Sequence, residues 1–90
     1  MGPLYDVTIL FSDIDGLGMF STVAYDNGEM ICPARVGEYR TEAGRYINHS
    51  DVPNVKMVQD DNSIWVYACK EIKNYEELLV NYEENLKLNE

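Results

Sequence analysis

The chain has 90 residues, with seven Lys and Arg against sixteen Asp and Glu and a formal charge of −9. That length suits one domain, residues 1–90, with little apolar burial to spare. Its negative field disfavours nucleic acid as a direct ligand and attracts cationic partners.

No apolar run approaches the ~20 residues of a membrane-spanning helix, and the first residues lack the basic and long apolar regions of a signal peptide. A soluble, intracellular protein is expected, with no membrane partner. Cys32 and Cys69 form no CxxC pair, and His49 is the single histidine. A tetrahedral zinc site therefore lacks its ligands, no metal is expected, and both thiols read as reduced, small apolar side chains.

In chain order, Leu4 to Phe11 is rich in β-branched and aromatic residues and predicts a strand, ended by the turn Ser12-Asp13-Ile14-Asp15-Gly16. Met19 to Tyr25 reads as the return strand. Asp26-Asn27-Gly28 is a turn signal, and Glu29-Met30-Ile31-Cys32 predicts a third strand that Pro33 closes. Between Val36 and Ile47 the spacing of Glu38, Glu42 and Arg45, interrupted by Gly44, predicts one short helix. Val55 to Val58 and Ile64 to Ala68 flank the turn-forming Gln59 to Ser63 and predict a hairpin whose core face carries Ile64, Val66 and Ala68. Leu78-Leu79-Val80 is one more short strand, and Glu83 to Leu88 predicts a helical end anchored by Leu86 and Leu88.

Several short motifs compete for a functional reading. Thr8 to Gly16 resembles the nucleophile segment of haloacid-dehalogenase phosphatases, with Asp13 and Asp15 in a DxDG pattern. That chemistry also needs a magnesium site and a lysine from distant strands of a parallel α/β sheet, which this β-rich chain does not supply. The same aspartates resemble the opening of an EF-hand loop, but Leu17 and Ala24 stand where ligands belong. The pairs Glu83-Glu84 and Asp60-Asp61 read as solvated surface, and the seven tyrosines as core or rim.

Three segments in chain order resemble the SET domain of protein-lysine methyltransferases. Gly16-Leu17-Gly18-Met19-Phe20, followed by Gly28-Glu29-Met30-Ile31, is similar to the family's GxG-F opening and later G-E-x-I. Arg45-Tyr46-Ile47-Asn48-His49-Ser50-Asp51-Val52-Pro53-Asn54 is similar to R-(F/Y)-I-N-H-S-C-x-P-N, with Asp51 where cysteine is usual. Glu76-Glu77-Leu78-Leu79-Val80-Asn81-Tyr82, preceded by Ile64, Val66, Ala68 and Ile72, resembles the family's C-terminal G-E-E-L-x-x-x-Y.

The resemblance implies a mainly β fold of short strands in small sheets, with little helix and a knot-like crossing between the Asn48-His49 segment and the C-terminal segment. Such threading is rare and must be fixed by hydrogen bonds. It implies transfer of a methyl group from S-adenosylmethionine to a lysine side chain of a basic protein or peptide. Tyr82 falls on the family's catalytic tyrosine. Gly16, Leu17, Gly18, Met19, Arg45, Tyr46, Asn48 and His49 fall on its cofactor-binding segments, where Asn48 would bond cofactor or neighbouring backbone and the main chain of His49 would meet the adenine.

The chain departs from the family pattern in two places. Between the GExI-like segment and Arg45 most SET domains carry a long insert with a further active-site tyrosine; here only residues 32–44 remain, and Tyr39 is their one tyrosine. The cysteine-rich zinc segment found after many SET domains is missing. Minimal viral SET domains are similar in size and some pair, so a homodimer is an expectation, with the cytoplasm or a host nucleus as the address. The alternative function is a reduced SET module that binds cofactor or a protein without turnover. A β-rich interaction protein with chance motifs is the blandest reading.

Overall fold

A computed structural model describes residues 5–86. Its elements are β1 (Val7–Phe11), β2 (Leu17–Ser21), β3 (Met30–Val36), β4 (Tyr39–Arg40), α1 (Glu42–Tyr46), β5 (Asn48–His49), β6 (Val55–Asp60), β7 (Ser63–Ala68), β8 (Leu79–Val80) and α2 (Tyr82–Leu86). The strands form three small sheets, the antiparallel pair β1-β2, a four-stranded sheet ordered β4-β3-β7-β6, and the parallel pair β5-β8. Residue 4 of the expected first strand and residues 87 and 88 of the expected helical end lie outside the described residues.

Three expected boundaries move, each for a local reason. The return strand starts at Leu17 and stops at Ser21, because β1 offers partners only from Val7↔Ser21 to Phe11↔Leu17. Beyond it the chain peels away, and Tyr25 forms an isolated bridge with Ile72.

Pro33 does not close the third strand. It lies inside β3 opposite Trp65, between register shifts at Met30/Cys32 and Pro33/Arg35. A bulged strand tolerates a residue with no N–H to give, and the Pro33 carbonyl accepts a bond from Thr41 Oγ1 at 2.7 Å.

The hairpin turn contracts to Asp61-Asn62, since Gln59 and Asp60 stay paired with Ile64 and Ser63. Asp61 takes a φ of 51°, a left-handed conformation that aspartate tolerates better than most residues. Val66 and Ala68 are buried, and Ile64 packs partly against them, as the alternation predicts.

The helix α1 begins where Thr41 caps it, its side chain accepting from the Gly44 N–H at 3.2 Å. Glu42 in the first turn and Arg45 in the last suit the helix dipole. Gly44 sits where the helix meets β3, and a Cβ there would run into the Ala34 carbonyl.

The core joins Met19, Ile31, Cys32, Ile47, Val55, Val66, Ile72, Leu78 and Val80. Leu78 and Val80 are fully inside, each worth about 1.5–3 kcal/mol of burial. The C-terminal segment therefore inserts into the core.

Candidate functional site

The decapeptide Arg45 to Asn54 leaves α1, forms β5, and arches over the C-terminal strand. β5 pairs in parallel with β8, Asn48 opposite Leu79 and His49 opposite Val80. The Ser50 N–H then donates to the Val80 carbonyl and the Asn54 N–H to that of Leu79, both at 3.0 Å. On the other side the Leu78 N–H donates to the Met19 carbonyl at 2.8 Å. The C-terminal strand is thus threaded between β2 and the 48–54 arch.

Asn54 locks the arch. It is buried, its Nδ2 donates to the Glu77 carbonyl at 2.8 Å and to Glu76 Oε2 at 3.0 Å, and its Oδ1 accepts from the Leu79 N–H at 2.8 Å. Where the arch leaves the two-residue β5-β8 ladder, side chains must satisfy the polar groups that the ladder does not.

Tyr82 is held to the same junction. Its hydroxyl donates to the Ile47 carbonyl at 2.9 Å, and its N–H donates to His49 Nδ1 at 3.0 Å. Because that nitrogen accepts, the proton of the neutral imidazole sits on Nε2, which faces Asp51 Oδ1 at 3.2 Å. The His49 and Tyr82 rings lie 5.0 Å apart in a tilted arrangement that suits aromatic pairs.

Asn48 links this junction to the β1-β2 turn. Its Nδ2 lies within bonding distance of the Asp15 carbonyl (3.1 Å), the Leu17 carbonyl (3.3 Å), Ser12 Oγ (3.2 Å) and Glu77 Oε2 (3.0 Å). Gly16 supports the turn with a φ of 49°, and the Ser12 N–H donates to its carbonyl at 2.8 Å. Gly18 is buried against the Glu77 carboxylate, which a Cβ would displace.

Of the residues singled out in the sequence, Gly16, Leu17, Gly18, Asn48, His49 and Tyr82 meet around this junction. The Met19 side chain belongs to the core, so it reaches the junction only through its backbone carbonyl. Arg45 is exposed and Tyr46 half-buried on the last turn of α1, and among the described residues neither side chain bonds to the Asn48 network. Ser12, Glu77 and Asn54 are neighbours in this network that motif matching left unassigned. The signal for Asn54 and Glu77 was present, since both stand inside the matched segments.

Two clefts lie elsewhere. One of about 460 Å³ runs between the β1-β2 hairpin, β3 and α1, lined by Tyr5, Ile9, Met19, Cys32 and Ala43 among others. Another of about 440 Å³ lies behind α1 against Ala34, Arg40, Met57 and Ile64. Neither is lined by Asn48, His49 or Tyr82. The shifted acidities also fall outside the junction. Burial pushes the Cys32 thiol up to about 12, and burial, then Asp6, Cys32 and Glu29, push the Tyr25 hydroxyl up to about 12.

The family model for the SET domain matches residues 33–83, which span β3 through the crossing to Tyr82. The chain belongs to the SET domain family. Among solved structures, this SET domain is similar to a Plasmodium falciparum protein provisionally named a histone methyltransferase, at 25% identity and a TM-score of 0.69, covering 89% of this chain and 95% of that one. It is similar in fold to a chain of Chaetomium thermophilum Polycomb Repressive Complex 2 in an autoinhibited conformation bound to S-adenosylmethionine, at 22% identity and a TM-score of 0.70, covering 92% of this chain and 16% of that one. The methyltransferase domain of human PR domain-containing protein 2 shares the fold at 18% identity and a TM-score of 0.66, covering 88% of this chain and 78% of that one. No curated protein is significantly similar in sequence. The small-sheet, mainly β architecture expected of a SET domain is the one observed.

Proposed function

We propose that this SET domain transfers a methyl group from S-adenosylmethionine to the side-chain amine of a lysine in a basic protein substrate. The observation that carries the reading is the Tyr82 hydroxyl, fixed on the Ile47 carbonyl directly before Asn48 and His49. The names of two neighbours, one a histone methyltransferase by provisional name and one bound to this cofactor, support it.

The residues present fit the cofactor. Gly16 and Gly18 leave the turn backbone free of side chains. Asn48 commits its Nδ2 to the protein, and its Oδ1 accepts from no group among the described residues. Since no buried side-chain oxygen lacks a partner, that oxygen is open to solvent and to a ligand's donor. With the main chain of His49 beside it, this is a set of hydrogen-bonding groups suited to a nucleoside carrying an amino acid. When bound, the cofactor supplies a methyl group made electrophilic by a sulfonium.

The chain's own residues supply orientation and charge stabilisation. A lysine ammonium ordinarily has a pKa near ~10.4 and is no nucleophile until its proton leaves. Partial desolvation at the crossing favours the neutral amine, and the proton departs to water. Tyr82, with its donor pinned to a carbonyl, turns its oxygen lone pairs toward the reacting centre. Tyrosine and carbonyl oxygens there stabilise cationic character on nitrogen and methyl. The net charge of −9 steers basic substrates inward.

A second reading, a reduced module that binds without turnover, is favoured by one observation. Tyr39 is 65% exposed in the two-residue strand β4, so the tyrosine of the shortened 32–44 segment supplies no wall for a substrate lysine. Titration with S-adenosylmethionine followed by a methyl-transfer assay on lysine-rich peptides separates the readings. Binding with transfer supports the enzyme, binding without transfer supports a cofactor-binding module, and absence of both rejects the enzyme and leaves only the fold.

A further inference from the structure

All three arginines of this acidic chain fall between positions 35 and 45, and two of them face each other. Arg35 on β3 is the direct cross-strand partner of Arg40 on β4, which puts both side chains on one face of the sheet with Cβ atoms about 4.5–5.5 Å apart. Like charges directly opposite destabilise a strand pair. No carboxylate among the described residues offsets them. Glu38 shares their cleft without pairing with either, and the one ion pair there joins His49 and Asp51.

Both guanidinium groups are held in place by backbone. Arg35 Nε donates to the Gly37 carbonyl and Arg40 Nε to the Gly44 carbonyl, each at 2.9 Å. The terminal nitrogens of both have no partner among the described residues. Two planar forks of donors, a geometry that grips a carboxylate bidentately, are thereby exposed on the outer two strands of the four-stranded sheet.

Beside the forks lies the cleft of about 440 Å³ behind α1, lined by both arginines and by Ala34, Met57 and Ile64. Ile64 stands directly opposite Arg35 on β7, so one row across the sheet runs from two cations onto an apolar floor. A small inorganic anion would use the forks alone. A nucleic acid would bring a line of phosphates into the field of a chain with net charge −9. A peptide that interleaves acidic and aliphatic side chains uses both the rim and the floor.

We infer that this cleft docks an acidic segment of a partner protein, with carboxylates on the Arg35 and Arg40 forks and an aliphatic side chain on the Ile64 floor. The cleft is lined by none of Asn48, His49 and Tyr82, so the inference stands independently of the methyl-transfer reading.

The test follows the anisotropy of a dye-labelled peptide alternating glutamate and leucine, titrated with the parent chain at low salt. Arg35→Gln/Arg40→Gln should weaken binding roughly tenfold, the scale of one lost charge-assisted contact. Lys70→Gln, which removes one exposed positive charge away from the cleft, should leave affinity within about twofold, because solvent screens distant charges. Arg35→Lys/Arg40→Lys keeps the charge but loses the forks, and should recover only part of the affinity. Peptides with glutamine for glutamate, or serine for leucine, should each bind more weakly than the original. Melting curves establish that each variant is folded; if the glutamine pair is not, the lysine pair and the two altered peptides carry the comparison.

Failure of the parent chain to bind the peptide overturns the inference. So does an equal loss in Lys70→Gln and Arg35→Gln/Arg40→Gln, which would reduce the effect to overall charge, and so does equal binding of the glutamine-substituted peptide. Tighter binding of a single-stranded oligonucleotide than of the peptide also overturns it, since the forks would then serve phosphates.

Discussion

Removing the Asn54 side chain tests whether hydrogen bonds fix the crossing. Asn54→Ala takes away the donor to the Glu77 carbonyl, the donor to Glu76 and the acceptor for the Leu79 N–H. Glu76 is half-buried and regains water, but the Glu77 carbonyl and the Leu79 N–H face the Asn54 side chain, which is only 4% exposed. Each unsatisfied buried group costs about 1–3 kcal/mol, so the variant should lose about 4 kcal/mol. A domain of this size has total stability of roughly 5–13 kcal/mol, and its urea dependence is about 1 kcal/mol per molar. The urea midpoint, followed by the fluorescence of Trp65, should therefore fall by about 3–4 M. Asn54→Asp is the control, since it keeps the acceptor for Leu79 but turns a carboxylate toward Glu76. It should be no more stable than Asn54→Ala at neutral pH and should regain stability on acidification, as a protonated carboxyl donates again. A loss under about 1 kcal/mol for both variants would mean that apolar burial of Leu78 and Val80, not this network, holds the thread.

Two further outcomes follow from packing and charge. Gly44→Ala should destabilise the fold in urea titration, although alanine is the better helix former by about 1 kcal/mol, because the added methyl meets the Ala34 carbonyl; a stabilised variant would show that α1 can slide on β3. Stability should be level up to pH 9.0 and fall as pH rises toward about 12, because Cys32 and Tyr25 keep protons in the fold that the unfolded chain releases from ordinary values of 9.0 and 10.0. Urea midpoints across that window check the sign, and Cys32 should resist a thiol reagent in the folded chain while the half-exposed Cys69 reacts.

The parts of the fold legible in the sequence are those governed by local pattern. The hairpin of β6 and β7 shows its alternation directly, and the polar density of Arg45 to Asn54 announces a backbone that must be tied by side chains. Less legible were features decided by distant partners. Pro33 reads as a strand end from its missing N–H, yet bulges on either side let β3 continue past it. Tyr25 looked like part of a long return strand, but its partner is Ile72, far along the chain. Glu77 stood inside the C-terminal motif with no role of its own; only the crossing brings Ser12, Gly18 and Asn48 around it, and those residues lie 29 to 65 positions away. Six of the residues singled out for the site converge, because backbone turns and the crossing place them. Arg45 and Tyr46 stay apart, because α1 points their side chains outward from the network.

The most direct test of the central claim is methyl transfer by Tyr82→Phe beside the parent chain, with S-adenosylmethionine affinity titrated for each. The substitution removes one hydroxyl, and with it the bond to the Ile47 carbonyl, so cofactor affinity should stay within about twofold. Transfer to a lysine-rich peptide should drop by at least ~100-fold, the range seen when one preorganised oxygen is taken from a reacting centre. Equal turnover by the two chains would contradict the assignment of Tyr82 as the residue that orients the reaction.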